Sequence, residues 1–266
     1  MHRPSVPSAP PPRLRARSAE PAQLVRWLTA GWRDLTRCPG PGLAHGLASA
    51  AFGWLILALF HDSFWLLAGS FTGYLIVAPI VATGLYAVSR GLEQGQRLRL
   101  AEVLALWRRR DPRLIHFGVL LAFAGTGWLI TSAAFVTSFT DVPIHRPLDF
   151  LRQVVLTERG WVFEIWLALG GLLAAPMFAS SVVAIPLLLD RPVPVLTAVL
   201  LSWQVVLESP GTLALWAAVI MALTLLGMLT GLLGLVLIVP WLAHASWHAY
   251  RDLVEEAPSA AATEPR

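Results

Sequence analysis

The chain is expected to fold as an all-α integral membrane protein of six transmembrane helices, built as three repeated hairpins, each preceded by a cytoplasmic amphipathic surface helix. Three observations lead there. Of 266 residues, 56% are hydrophobic and 14% charged, and the mean hydropathy is +0.64, whereas soluble domains carry roughly 25% charged residues. Apolar runs long enough to cross ~30 Å of hydrocarbon recur along the chain. Arginine gathers between some of these runs and not others, as it does in cytoplasmic loops.

In chain order, residues 1–22 hold Pro4, Pro7, Pro10, Pro11 and Pro12 among scattered arginines and read as a disordered cytoplasmic tail. No apolar run begins before Leu43, so a secretory signal peptide is not expected. Gln23 to Arg37 is a surface helix with Leu24, Leu28, Gly31 and Leu35 on one face and Arg26, Arg33 and Arg37 on another. It ends at Cys38-Pro39-Gly40-Pro41-Gly42, because proline and glycine stop helices. Leu43 to Phe60 is the first span, His61-Asp62-Ser63 a tight turn, and Phe64 to Ser89 the second span, kinked at Pro79.

Arg97 to Arg113 is a second amphipathic segment. As a helix it aligns Leu100, Val103, Leu104 and Trp107 at i, i+3, i+4, i+7, and it ends in the cluster Arg108, Arg109 and Arg110. Seven arginines between Arg90 and Arg113 mark this side as cytoplasmic. The third span is Leu114 to Phe139. The loop from Thr140 to Gly160 balances Arg146, Arg152 and Arg159 against Asp141, Asp149 and Glu158, which suits the outer face, and Leu148, Leu151, Val154 and Val155 suggest a further interfacial turn or two.

The fourth span, Trp161 to Leu189, contains Pro176 and Pro186. A third surface helix follows, with Leu196, Val199, Leu200, Trp203 and Leu207 at helical spacing. The apolar run from Gly211 to Ala243 would be about 50 Å long as one helix, too long for one crossing. It is therefore divided near Gly227 to Gly231 into spans at 211–227 and 230–248, with five spans as the alternative. The membrane domain runs from 23 to 254, and residues 255–266 are a second disordered tail.

An internal repeat favours six. LAEVLALW at Leu100 to Trp107 aligns with LTAVLLSW at Leu196 to Trp203, each followed by a proline and a span. Tyr74 to Leu92 overlays Leu235 to Leu253, pairing Pro79 with Pro240, Tyr86 with Trp247 and Arg90 with Arg251. The unit is surface helix, proline break, span, turn, span.

The stretches GWRDLTRCPGPGLAHGL (31–47), APIVATGLYAVSRGLEQG (78–95), SVVAIPLLLDRPVPVLTAVLLSWQVVLESPGTLALWAAVI (181–220) and VPWLAHASWHAYRDLV (239–254) resemble a bacterial family of predicted integral membrane proteins, domain of unknown function 2189. The resemblance runs from about Leu24 to Val254. It implies a multi-span inner-membrane protein and supplies no reaction or functional residue. Two departures from the pattern, Ser209 in place of asparagine and Ala243 in place of glycine, concern helix ends.

Candidate chemistry is sparse. His244 and His248 share a helix face and, with His45 and His116, are weak candidates for a metal or haem site; interfacial anchoring is the plainer expectation. Glu164 is the clearest carboxylate inside an apolar span. Pro79, Pro176 and Pro240 are helix kinks or, with Glu164, a solute path. Leu100, Leu104, Trp107, Arg108, Arg109, Arg110, Trp203 and Trp247 are assigned to the membrane interface. No nucleophile elbow, phosphate loop or carboxylate dyad occurs, and Cys38 is the only cysteine, so no enzyme activity and no cofactor is expected. Fourteen of the twenty arginines lie at or before Arg113, beside apolar runs, so basicity reflects topology rather than nucleic acid. Expected partners are the bilayer, anionic lipid, and a second copy or partner membrane subunit. The expected location is the bacterial inner membrane with both termini cytoplasmic. Function divides between a small-solute permease or channel-like protein and a non-catalytic scaffold or assembly factor.

Overall fold

A computed structural model describes residues 14–108, 111–157 and 160–256. Twelve α-helices carry the described chain: α1 (Gln23–Arg37), α2 (Pro39–Phe60), α3 (Phe64–Val81), α4 (Thr83–Glu93), α5 (Leu100–Arg108), α6 (Pro112–Phe139), α7 (Pro147–Phe150), α8 (Trp161–Ser181), α9 (Ala184–Asp190), α10 (Val195–Glu208), α11 (Pro210–Leu229) and α12 (Leu235–Leu253). A π-helical turn, Leu151–Val155, follows α7, in the loop where interfacial turns are expected. Among the described residues, five stretches are long and apolar enough to cross a membrane: Pro39–Phe60, Phe64–Glu93, Pro112–Phe139, Trp161–Asp190 and Pro210–Leu229.

The expected break in the last apolar run is present. α11 ends at Leu229, and the turn to α12 is made by Gly231 and Leu232 at φ 67° and 69°, the left-handed region that glycine adopts at little cost. The expected sixth span, 230–248, falls on α12, which is not among the five stretches. It carries His244, His248, Arg251 and Asp252 and buries Ile238, Pro240, Leu242, His244, Trp247 and Tyr250 among other residues. A helix surrounded by protein has its polar groups satisfied by neighbours and needs no uniform hydropathy.

α12 is the centre of the packing. α1 and α2 lie against it along glycines: a Cβ on Gly31 would stand 2.5 Å from the Ala245 backbone nitrogen, and one on Gly46 would overlap the Val236 carbonyl. A Cβ on Gly42 would meet Pro240 at 3.3 Å, so the G-x-x-x-G pair of α2 is the seat of α12. Trp241 Nε1 donates to the Leu28 carbonyl at 2.7 Å, and Trp27 Nε1 to Asp252 at 2.8 Å. The face of α1 expected to meet lipid, Leu24, Gly31 and Leu35, is thus buried with Trp27 and Asp34, against protein.

The second and fourth spans, each one continuous candidate stretch, are interrupted near their prolines. α3 stops at Val81, just after Pro79, and α8 stops at Ser181, before Pro186. Pro186 offers no N–H to the Val182 carbonyl, and its ring crowds that oxygen. At this break the Val183 N–H donates to Ser202 Oγ at 3.1 Å.

The two tails are also partly structured. Leu14–Ala16 (β1) pairs antiparallel with Val254–Glu256 (β2), and Arg17 N–H donates to the Leu253 carbonyl at 2.9 Å. Ala19 donates to Ser209 Oγ at 2.8 Å and accepts from Thr212 at 2.9 Å. The proline-rich composition that suggested disorder across 1–22 lies in residues 4–12, whereas Leu14 to Ala19 supplies backbone groups that the helix ends use. The remainder of both tails lies outside the described residues.

Candidate functional site

The site is a lateral crevice between α2 and α3 with a buried polar cluster behind one end. The two helices are antiparallel neighbours joined at the His61-Asp62 turn. Between them, closed by α5, is a cavity of about 850 Å³ lined by Leu55, Ile56, Leu59, Gly73, Leu100 and Leu104 among other apolar residues, with His45, Ser49, Ser70 and Tyr74 as its polar members. That volume is in the range of small-molecule sites, about 300–1,000 Å³. It exists because Gly73 presents no side chain and nothing would lie within 4 Å of a Cβ there. A second cavity of about 180 Å³ lies between α3, α4, α11 and α12, lined by Pro79, Tyr86, Met228 and Val239 among others.

The polar cluster joins four helices. His244 of α12 is fully buried, with Nδ1 2.8 Å from Ser89 Oγ of α4. His248, one turn on, lies 2.8 Å from Asp34 Oδ2 of α1, and Asp34 also hydrogen-bonds Ser89. Burial raises the Asp34 pKa, but its bonds to His248 and Ser89 and the charge of the histidines outweigh this and hold it below the ordinary 3.8. His45 of α2 is buried at the inner edge of the crevice. Its Nδ1 lies 2.7 Å from the Pro41 carbonyl; a carbonyl can only accept, so Nδ1 carries the proton and Nε2 is the basic nitrogen.

A second network gathers the ends of α4, α9 and α12. Tyr250 donates to Asp190 at 2.8 Å and Trp247 to Glu93 at 2.9 Å. Arg90 lies 3.8 Å from Asp190, and Arg251 lies 3.4 Å from Glu93 and 3.8 Å from Asp190. Beside it, Arg113 pairs with Asp111 at 2.7 Å and donates to the carbonyls of Leu188, Arg191 and Val193 at 3.0, 2.9 and 3.1 Å. It thereby caps α9 with a cation, where the helix dipole favours one.

Of the residues singled out from sequence, His45, His244 and His248 come together, and His116 stands apart, exposed on α6. Among the described residues no three His, Cys, Asp or Glu side chains are grouped to hold a metal. Glu164 is exposed in the first turn of α8. Pro176 is exposed on the same helix, Pro79 lines the smaller cavity, and Pro240 is buried against Gly42, so these four residues border no common cavity among those described. Leu100 and Leu104 line the crevice, Arg108 is exposed, and Trp203 is partly exposed and donates to Ser180 at 2.9 Å. Trp247, assigned to the membrane interface, is instead fully buried, because Glu93 accepts its indole N–H inside the bundle. The side chain of Trp107, and Arg109, Arg110 and Arg159, lie outside the described residues.

Sequence reasoning missed Asp34 and Ser89. For Asp34 a signal existed: Leu24, Trp27, Gly31 and Asp34 follow one helical stripe, and a carboxylate on an apolar stripe marks a buried partner. Ser89 carried none, since a small polar residue in an apolar helix satisfies itself on its own backbone.

No curated protein matches the chain, and no solved structure does. The matched region of a family model covers all of the 78–95 stretch and the first ten residues of the 181–220 stretch, leaving 31–47 and 239–254 outside. From Leu66 to Asp190, essentially α3 to the end of α9, the chain matches the family described as Predicted integral membrane protein (DUF2189).

Proposed function

We propose that this multi-pass membrane protein is a non-catalytic scaffold that holds an apolar chain from the bilayer in the crevice between α2 and α3. The observation that carries the reading is the crevice itself: an apolar cavity of about 850 Å³ between two helices long and apolar enough to span a membrane. Hydrocarbon is the medium around such helices, and an apolar groove in that medium is filled by acyl chain rather than by water. The polar members, His45, Ser49, Ser70 and Tyr74, are few, which suits an occupant with a long apolar part and one polar end.

Labelling with a bilayer-resident apolar diazirine tests this. Leu55 and Leu104 should be labelled, and Gly73→Trp, which puts an indole into the crevice at a position where a Cβ meets nothing within 4 Å, should remove that label. Unchanged labelling of Leu104 in the variant would overturn the reading.

The accompanying topology is six crossings in the bacterial inner membrane with both termini cytoplasmic. The pairing of β1 with β2 supports an even number, since it holds the two ends of the described chain side by side. Three helix–proline–helix junctions, at Pro39, Pro112 and Pro210, support the threefold repeat. A small-solute permease is the second reading, and the breaks that divide α3 from α4 and α8 from α9 favour it as hinges. Proteoliposomes that pass small anions, cations or metabolites would establish it over the scaffold.

A further inference from the structure

The smaller cavity, between α3, α4, α11 and α12, has a polar group on its wall that the protein itself leaves unused. Tyr86 is 5% exposed, and none of the described residues hydrogen-bonds its hydroxyl, whereas a buried phenol normally finds a partner. The hydroxyl is not sealed off, so the exposed remainder of the residue, which lines the cavity, includes it. Among the described residues, Tyr74 is the one that this cavity shares with the α2–α3 crevice, and its hydroxyl is engaged by Ser49. Ser246, also on the wall, donates to the Leu242 carbonyl of its own helix at 2.8 Å.

Position along the helices sets what can reach Tyr86. Arg90, one turn further along α4, pairs with Asp190 at 3.8 Å in the polar network at that end of the bundle, and Tyr86 lies about 6 Å deeper. The interfacial layer of a leaflet is itself about 6 Å thick, so the phenol stands at its inner boundary, where glycerol esters join the acyl chains. From Tyr86 the wall runs back through Ala82, Ala78 and Leu75 to Phe71, a single helical stripe about 22 Å long. Met228 of α11 and Val239 of α12 close the other side. The result is a narrow apolar track of about 180 Å³, which takes a segment of one acyl chain. No charged residue is among those that line it, so an anionic group would enter without a counter-ion, at a high desolvation cost. An ester carbonyl supplies an acceptor for the phenol and brings no charge.

We propose that this cavity is a lipid site that recognises an acyl ester: one chain of a glycerolipid from the leaflet at the Arg90 end lies in the track, and the Tyr86 hydroxyl donates to the carbonyl of its ester. The site is separate from the α2–α3 crevice and stands or falls without it.

The test uses the full chain in a non-ionic detergent and two phosphatidylethanolamines with identical chains, a diazirine midway along one of them, joined to glycerol by ester bonds in one lipid and by ether bonds in the other. After irradiation, label on Met228 and Val239 is measured by peptide mass spectrometry; neither residue borders the α2–α3 crevice, so a lipid bound there does not contribute. Half-maximal labelling should need about fivefold less of the ester lipid than of the ether lipid, the effect of one hydrogen bond between neutral groups. Tyr86→Phe keeps the ring and removes only the hydroxyl, and it should bring the ester lipid to the level of the ether lipid. The first comparison needs no variant and is decisive alone if the variant fails to fold. Equal labelling by the two lipids in the unmodified protein, a preference for the ester that persists in Tyr86→Phe, or no label on Met228 and Val239 from either lipid would overturn the proposal.

Discussion

Asp34 shows how one residue ties the bundle together. It sits on α1, buried, and meets His248 of α12 and Ser89 of α4, so its loss removes a bond from each of two other helices. Asp34→Asn should lower stability by about 1–3 kcal/mol, the cost of a buried hydrogen bond to a charged group, read as a lower midpoint in thermal unfolding in detergent. The pH dependence follows from the depressed pKa of Asp34. A carboxyl whose folded pKa lies below its unfolded value adds stability that is full above the unfolded value and is lost as pH falls through the folded one. The gap between the unmodified protein and Asp34→Asn should stay constant from neutral pH down to about 5. It should narrow below the ordinary value of 3.8. A gap that widened below that value would contradict the assigned direction. Ser209 is a second instructive residue: read from sequence as a helix-end departure, it accepts the backbone N–H of Ala19 and so anchors the N-terminal arm.

Breaks in the long helices organise the molecule at the level of elements. α8 gives way to α9 shortly before Pro186, and the Val183 N–H at the break is satisfied by Ser202 of α10. That bond explains why a serine lies fully buried on the face of α10 that also buries Ala198, Leu201 and Val205. Ser202→Ala should cost about 1–3 kcal/mol by orphaning the Val183 N–H, measured as a lower unfolding midpoint, and Ser202→Thr should retain most of the stability. An alanine variant as stable as the parent would mean that the break needs no partner. The opposite face of α10, Leu196, Leu200 and Leu207, is exposed, as its helical spacing suggested. α1 has no such free stripe because α12 covers it.

For the whole molecule, the paired ends are decisive. β1 and β2, the bond from Arg17 to Leu253 and the ion pair between Arg191 and Glu256 at 2.6 Å bring both ends of the described chain to the site where α4, α9 and α12 converge. Reporter fusions placed at the two termini should therefore report the same side of the membrane. Opposite sides would refute both the pairing and the six-crossing topology, and would leave α12 as a helix that does not cross.

Much of the fold is legible in sequence for a simple reason. Apolar length, proline at the first turn and helical periodicity are local properties, and each acts within a few residues of where it is written. The bounds of α1, the junctions at Pro39, Pro112 and Pro210 and the break before α12 follow from them. The candidate site is different. His45, His244 and His248 are visible as residues, but their partners Asp34 and Ser89 come from helices far apart in the chain, and no spacing rule connects them. The crevice depends on an absence of side-chain volume at Gly73 and on how far α2 and α3 separate. The burial of α12 depends on Gly31 and Gly46 admitting its backbone. The sequence by itself determined where helices start, stop and turn. Which faces meet, and so which polar groups are buried together and which apolar groove is left open, was decided by tertiary packing, because contact between distant helices is a property of three-dimensional closeness that local pattern does not encode.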